Sequence, residues 1–109
     1  MTISRENGDY YMDSLLSEDT IIQEIRDYTK PNWIWIEIWN MSQYEIQVVI
    51  TVNEEEYCHL GQHKVIHVCS ARTDDIEDII NLKKYGKAIV KRIRKNFPCS
   101  KIYSKLYYR

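Results

Sequence analysis

The sequence predicts an α+β fold: an antiparallel four-strand meander with a short N-terminal helix and a long C-terminal helix. Three observations predict it. Apolar residues alternate through the middle of the chain, a helical period precedes them, and a longer helical period follows. At 109 residues, 44% hydrophobic and 28% charged, the chain has the length of a single domain and a globular composition.

Residues 1–14 are polar, with Tyr10 beside Tyr11, and are expected to form a flexible arm. Ser17 followed by Glu18 and Asp19 fits an N-cap with acids in the first turn. Ile21, Ile22, Ile25 and Tyr28 then recur at helical spacing and Pro31 closes the segment, which predicts a helix over 17–29. Strands are expected at 33–39 and 44–52, joined by Asn40-Met41-Ser42-Gln43. Two more are expected at 57–60 and 63–69, joined by Gly61-Gln62, a pair suited to a type II′ turn.

The long helix spans 73–97, with Thr73 as N-cap, Asp74, Asp75, Glu77 and Asp78 in its first turns, and Pro98 as its stop. Ile79, Leu82, Gly86, Ile89, Val90, Ile93 and Phe97 share one stripe. Gly86 sits at its centre. A glycine there costs about 1 kcal/mol of helix propensity, which close approach to the sheet would explain. Residues 99–109 form either an extra edge strand, at 101–108, or a tail.

Residues 32–39, NWIWIEIW, hold all three tryptophans alternating with isoleucines. A two-residue turn at 41–42 pairs Trp39 with Tyr44 and Trp35 with Val48 and puts the tryptophans in the core. An odd loop slips the register by one and puts Ile34, Ile36 and Ile38 there instead. Under either register this strand is apolar on both faces apart from Glu37. Two helices cover one face of a sheet, so an apolar patch is left over. Trp33, Trp35 and Trp39 are therefore candidates for binding another protein, or a second copy in a homodimer.

The net charge of −1 conceals a division. Residues 1–57 carry twelve acids and three bases, whereas residues 58–109 carry twelve bases and four acids. Lys84, Lys87, Lys91, Arg94 and Lys95 line one side of the long helix, and the tail adds Lys101 and Lys105 among Tyr103, Tyr107 and Tyr108. These seven bases are the nucleic-acid-binding candidates, with the tyrosines available for stacking. A basic C-terminal turn also complements the helix dipole, so a solvated face accounts for the same pattern. The order helix, three strands, helix resembles that of double-stranded-RNA-binding domains in topology alone. Where that family carries its basic motif this chain has Asp74, Asp75, Glu77 and Asp78, which repel phosphate, and membership does not follow.

Glycines occur only at 8, 61 and 86, so neither a P-loop nor a dinucleotide fingerprint is present, and HExxH, EF-hand and GxSxG patterns are missing too. Glu37 is a lone carboxylate among tryptophans, too little for an acid–base site, and no catalytic residue or cofactor is assigned. Cys58, His59, His63, His67 and Cys69 fall within twelve residues, but without a Cys-x-x-Cys pair they fit ordinary strand alternation, and no metal is assigned. An odd number of cysteines, no apolar leader and no membrane-length apolar run predict free thiols and a cytoplasmic location. Sixteen Ile, nine Tyr and nine Lys against two Ala favour A/T-rich codons, as in many phages and viruses.

The expectation is a small non-enzymatic cytosolic protein acting through protein–protein contact, in the manner of a viral or phage accessory protein that inhibits a host factor. The alternative is a nucleic-acid-binding protein using the basic helix and the Tyr/Lys tail.

Overall fold

The computed structural model describes residues 10–13, 15–28, 31–54 and 63–108. In chain order the elements are β1 (Tyr11–Asp13), α1 (Glu18–Arg26), β2 (Trp33–Ser42), β3 (Glu45–Asn53), β4 (His63–Arg72), α2 (Ile76–Asn96) and β5 (Lys101–Tyr108). The α+β class holds, with two helices and one five-stranded mixed sheet of order β1-β4-β3-β2-β5.

The sheet departs from the predicted meander in three ways. First, β3 and β4 pair directly, from Glu45 opposite Arg72 to Asn53 opposite His63, so among the described residues the antiparallel meander has three strands where four were expected. Residues 57–60 and the Gly61-Gln62 turn lie outside the described residues. Second, Tyr11–Asp13, expected in the arm, form a short strand on the outer edge of β4. Third, residues 101–108 form the edge strand that was one of two expectations for this segment, and what departs from the meander is its course, parallel to β2. Parallel neighbours need a crossover, and α2 supplies it by carrying the chain from β4 across the sheet to the far edge.

Both helices pack on the same sheet face. Ile21, Ile22 and Ile25 of α1 and Ile79, Leu82, Ile89 and Ile93 of α2 are buried with Ile34, Ile36 and Ile38 of β2 and with Ile46, Val48, Ile50 and Val52 of β3. Burying each such side chain contributes roughly 1.5–3 kcal/mol, so this aliphatic layer dominates the stability. Ser17 caps α1 as expected, its Oγ accepting from the Thr20 N–H at 3.2 Å. The cap of α2 is Asp75, whose Oδ1 accepts from the Glu77 N–H at 3.0 Å. Thr73, expected in that role, is instead buried between the hairpin and the helix. Its N–H donates to the Tyr44 carbonyl at 3.0 Å and its Oγ1 accepts from the Asp75 N–H at 3.2 Å.

The β2–β3 register selects between the two faces of β2. Trp39 lies opposite Gln47 and Ile38 opposite Val48, so the isoleucines enter the core and the tryptophans take the other face. The turn falls at Gln43-Tyr44, and Met41 is an unpaired extra residue between the Asn40–Ile46 and Ser42–Glu45 pairs. Without that bulge, a turn at Gln43-Tyr44 would bring Trp39 opposite Val48. The Asn40 amide donates to the Ser42 carbonyl at 2.6 Å, and the Ser42 Oγ accepts from the Tyr44 N–H at 3.1 Å. Short polar side chains of this kind hold turns by bonding to nearby backbone.

Gly86 occupies the closest point between α2 and the sheet. A Cβ there would lie 3.0 Å from Ile38 Cδ1, 3.3 Å from Ile38 Cγ1 and 3.4 Å from Val48 Cγ2. Gly86→Val therefore inserts bulk where none fits, and the expected loss in denaturant unfolding is about 2 kcal/mol. A neutral or stabilising result would show that α2 stands farther from the sheet.

Candidate binding surfaces

On the face away from the helices, β2 and β5 build an aromatic ladder. The parallel register sets Trp33 beside Lys101, Trp35 beside Tyr103, Glu37 beside Lys105 and Trp39 beside Tyr107. Tyr103 stacks on Trp33, with ring centroids 5.5 Å apart, and on Trp35 at 4.7 Å. Tyr107 stacks on Trp39 at 4.0 Å, with planes within 9° of parallel. Lys101 Nζ lies 4.7 Å from the Trp33 ring centre and Lys105 Nζ lies 4.9 Å from that of Tyr107, within cation–π range.

The rows of this face lose their aromatic rings across the sheet and end in a mixture of aliphatic and polar side chains. Tyr103 and Trp35 continue into Thr51 and Val65, Lys105 and Glu37 into Val49 and His67, and Tyr107 and Trp39 into Gln47 and Ser70. All three tryptophans are half-buried by one another and by the tyrosines, whereas Tyr103 and Val65 are exposed. Each of these rings has a face covered by a neighbouring ring, and Lys101 and Lys105 lie over Trp33 and Tyr107.

The seven basic candidates do not form one surface. Lys101 stands over Trp33 on the ladder, whereas Lys84, Lys87, Lys91, Arg94 and Lys95 belong to α2, which packs on the opposite sheet face. Lys105 joins the two sides at the sheet edge. With Lys87, Lys91 and Arg94 it lines a groove between α2 and β5, floored by Ile38, Val90 and Leu106 and closed in part by Ser104. Lys84 and Lys95 stand outside it. Arg92, beside these residues on α2, pairs instead with Glu18 at 3.9 Å and with Asp19. The acidic and basic halves of the sequence thus meet at the first turn of α1, but the groove cations lie away from that contact.

The His/Cys cluster is divided. His63 and His67 lie on the open face, opposite Asn53 and Val49, but a bulge between the Val48–Cys69 and Val49–His67 pairs turns Cys69 inward. Cys69 is fully buried, and desolvation pushes its thiol up to about 11. Simple alternation, which put His63, His67 and Cys69 on one face, fails at that bulge. Cys58 and His59 lie outside the described residues, and among the described residues no three His, Cys, Asp or Glu are gathered as metal ligands. Nor, among them, is any helix long and apolar enough to cross a membrane.

Tyr103 and Tyr107 entered the sequence argument as tail residues for stacking on bases, and their place on the tryptophan face was missed. Their spacing of four, in step with Trp35 and Trp39, carried that signal. Compared with protein-family models, curated proteins and solved structures, the chain matches none.

A double-mutant cycle measures the ladder. Trp39→Leu and Tyr107→Leu are each expected to destabilise, and the double variant to lose about 0.5–1.5 kcal/mol less than the sum of the two single losses. Additive losses would mean that the two rings do not stack.

Proposed function

We propose that this chain is a small non-enzymatic binding protein that engages another protein through the tryptophan face of its sheet. The observation that carries this reading is the ladder of Trp33, Trp35, Trp39, Tyr103 and Tyr107 on the sheet face opposite both helices. Aromatic residues are enriched where proteins dock, and here they are held in place by mutual stacking, so little side-chain freedom is lost on binding. The partner is a protein whose apolar patch meets the ring edges and whose acids meet Lys101 and Lys105. Such a binder suits an accessory protein of viral or phage type that blocks a host factor.

The second reading, nucleic-acid binding, is favoured by one observation, the convergence of Lys87, Lys91, Arg94 and Lys105 on a single groove. The ladder favours it less, because a base stacks on a ring face and each of these rings already stacks on a neighbour.

Photocrosslinking separates the two. A benzoylphenylalanine placed at Tyr103, in cells that make the protein, is expected to yield discrete adducts with another protein. Trp33→Ser with Trp35→Ser should remove them while circular dichroism shows the fold retained. Adducts with nucleic acid, with a second copy of the chain alone, or with nothing would contradict the proposal.

A further inference from the structure

The sheet has two edges, and they are treated differently. On the β4 side, β1 pairs with Ser70–Arg72, the Leu16 N–H donates to the Val68 carbonyl at 3.1 Å, and Lys64 Nζ reaches the Glu24 carbonyl at 3.2 Å. That edge is covered by the chain's own N-terminal segment. On the other side β5 is last in the sheet, and among the described residues its eight residues pair with β2 alone. An edge of this length presents a row of main-chain donors and acceptors that another strand can use.

Beside that edge runs the α2–β5 groove. Its floor is aliphatic, from Ile38, Val90 and Leu106, and its rim carries Lys87, Lys91, Arg94 and Lys105 with no carboxylate among the lining residues. Lysines on an edge strand deter indiscriminate pairing. Here three of the four cations come from the helix, so the groove as a whole repels basic and selects acidic chains. Its volume of about 490 Å³ suits a few side chains from one segment and not a folded domain.

We propose that the α2–β5 groove binds an acidic peptide segment in extended conformation, which adds to the outer edge of β5 as a sixth strand. Alternate side chains of an added strand point to opposite faces of the sheet, so one set faces α2. That set is mixed: its aliphatic members enter the floor at Ile38, Val90 and Leu106, and its acids meet Lys87, Lys91 and Arg94. The other set passes the far side of the edge, within reach of Lys105. A nucleic acid matches this place less well, since neither an aliphatic floor nor a strand edge has a use for a phosphate backbone. The site shares only Lys105 with the tryptophan face, and either proposal stands if the other fails.

The probe is a fluorescein-labelled peptide in which every second residue is serine and the residues between them alternate Asp and Leu, so that one strand face carries both. It is titrated with the full chain and followed by anisotropy. Micromolar binding is expected, weakening with salt as the ion pairs are screened. Three controls locate it. Methylating alternate backbone nitrogens of the peptide, which removes its main-chain donors and leaves its charge intact, should weaken binding by about tenfold or more. Combined Lys87→Glu, Lys91→Glu and Arg94→Glu on the exposed helix side should do the same, whereas Trp33→Ser with Trp35→Ser should change nothing.

No binding of the acidic peptide at low salt would overturn the proposal. So would equal binding of the methylated peptide, which would reduce the interaction to charge alone. Displacement of the peptide by single-stranded RNA or duplex DNA at lower concentration would overturn it in favour of nucleic acid. The methylation control uses the unaltered protein, so a variant that fails to fold does not remove the test.

Discussion

Which residues of β2 face the helices and which face outward follows from its pairing with β3. Residues 33–39 offer two apolar faces, and a slip of one residue exchanges them. The bulge at Met41 and the turn at Gln43-Tyr44 set the parity that sends the isoleucines inward. With isoleucine inside, α2 can lie against the sheet at Gly86, 3.0 Å from Ile38 by the measure of an added Cβ. An indole on that face would lift the helix away. With the tryptophans outside, β5 can match them ring for ring, and the uncovered face becomes an aromatic ladder instead of a polar one.

Much of this was legible in the residues. Both helices, their stripes, the Ser17 cap and the purpose of Gly86 follow from spacing that a helix period imposes. Loop length alone leaves the register open, yet Glu37 holds a decisive signal. It shares a face with the tryptophans, so burying them would have buried a carboxylate at the centre of the sheet, at a cost of several kcal/mol. Two other features have no such mark. The bulges at Met41 and Val68 are single-residue irregularities set by local hydrogen bonding and by packing from other parts of the chain. The parallel course of β5 follows from α2 crossing the whole sheet, a tertiary event that a strand's own sequence does not encode.

The charge division of the sequence has a structural counterpart only in part. Glu18 and Asp19 of the acidic half meet Arg92 of the basic half, which ties α1 to α2. Lys87, Lys91, Arg94 and Lys105 lie apart from that contact, around an apolar floor at an open strand edge. What looked like one basic surface with an aromatic tail is thus two places of different chemistry. One is an aromatic face with two lysines over its rings, and the other is a cationic groove against a strand. The sheet lies between them, and Lys105, at its edge, belongs to both.

The register is the claim on which the surfaces rest, and nuclear Overhauser contacts of the indole rings test it most directly. Strong contacts from Trp35 to Tyr103 and from Trp39 to Tyr107, with none to the methyls of Leu82, Ile89 or Ile93, are the expected result. Indole contacts to those α2 methyls would place the tryptophans in the core and contradict the account of both the ladder and the close approach at Gly86.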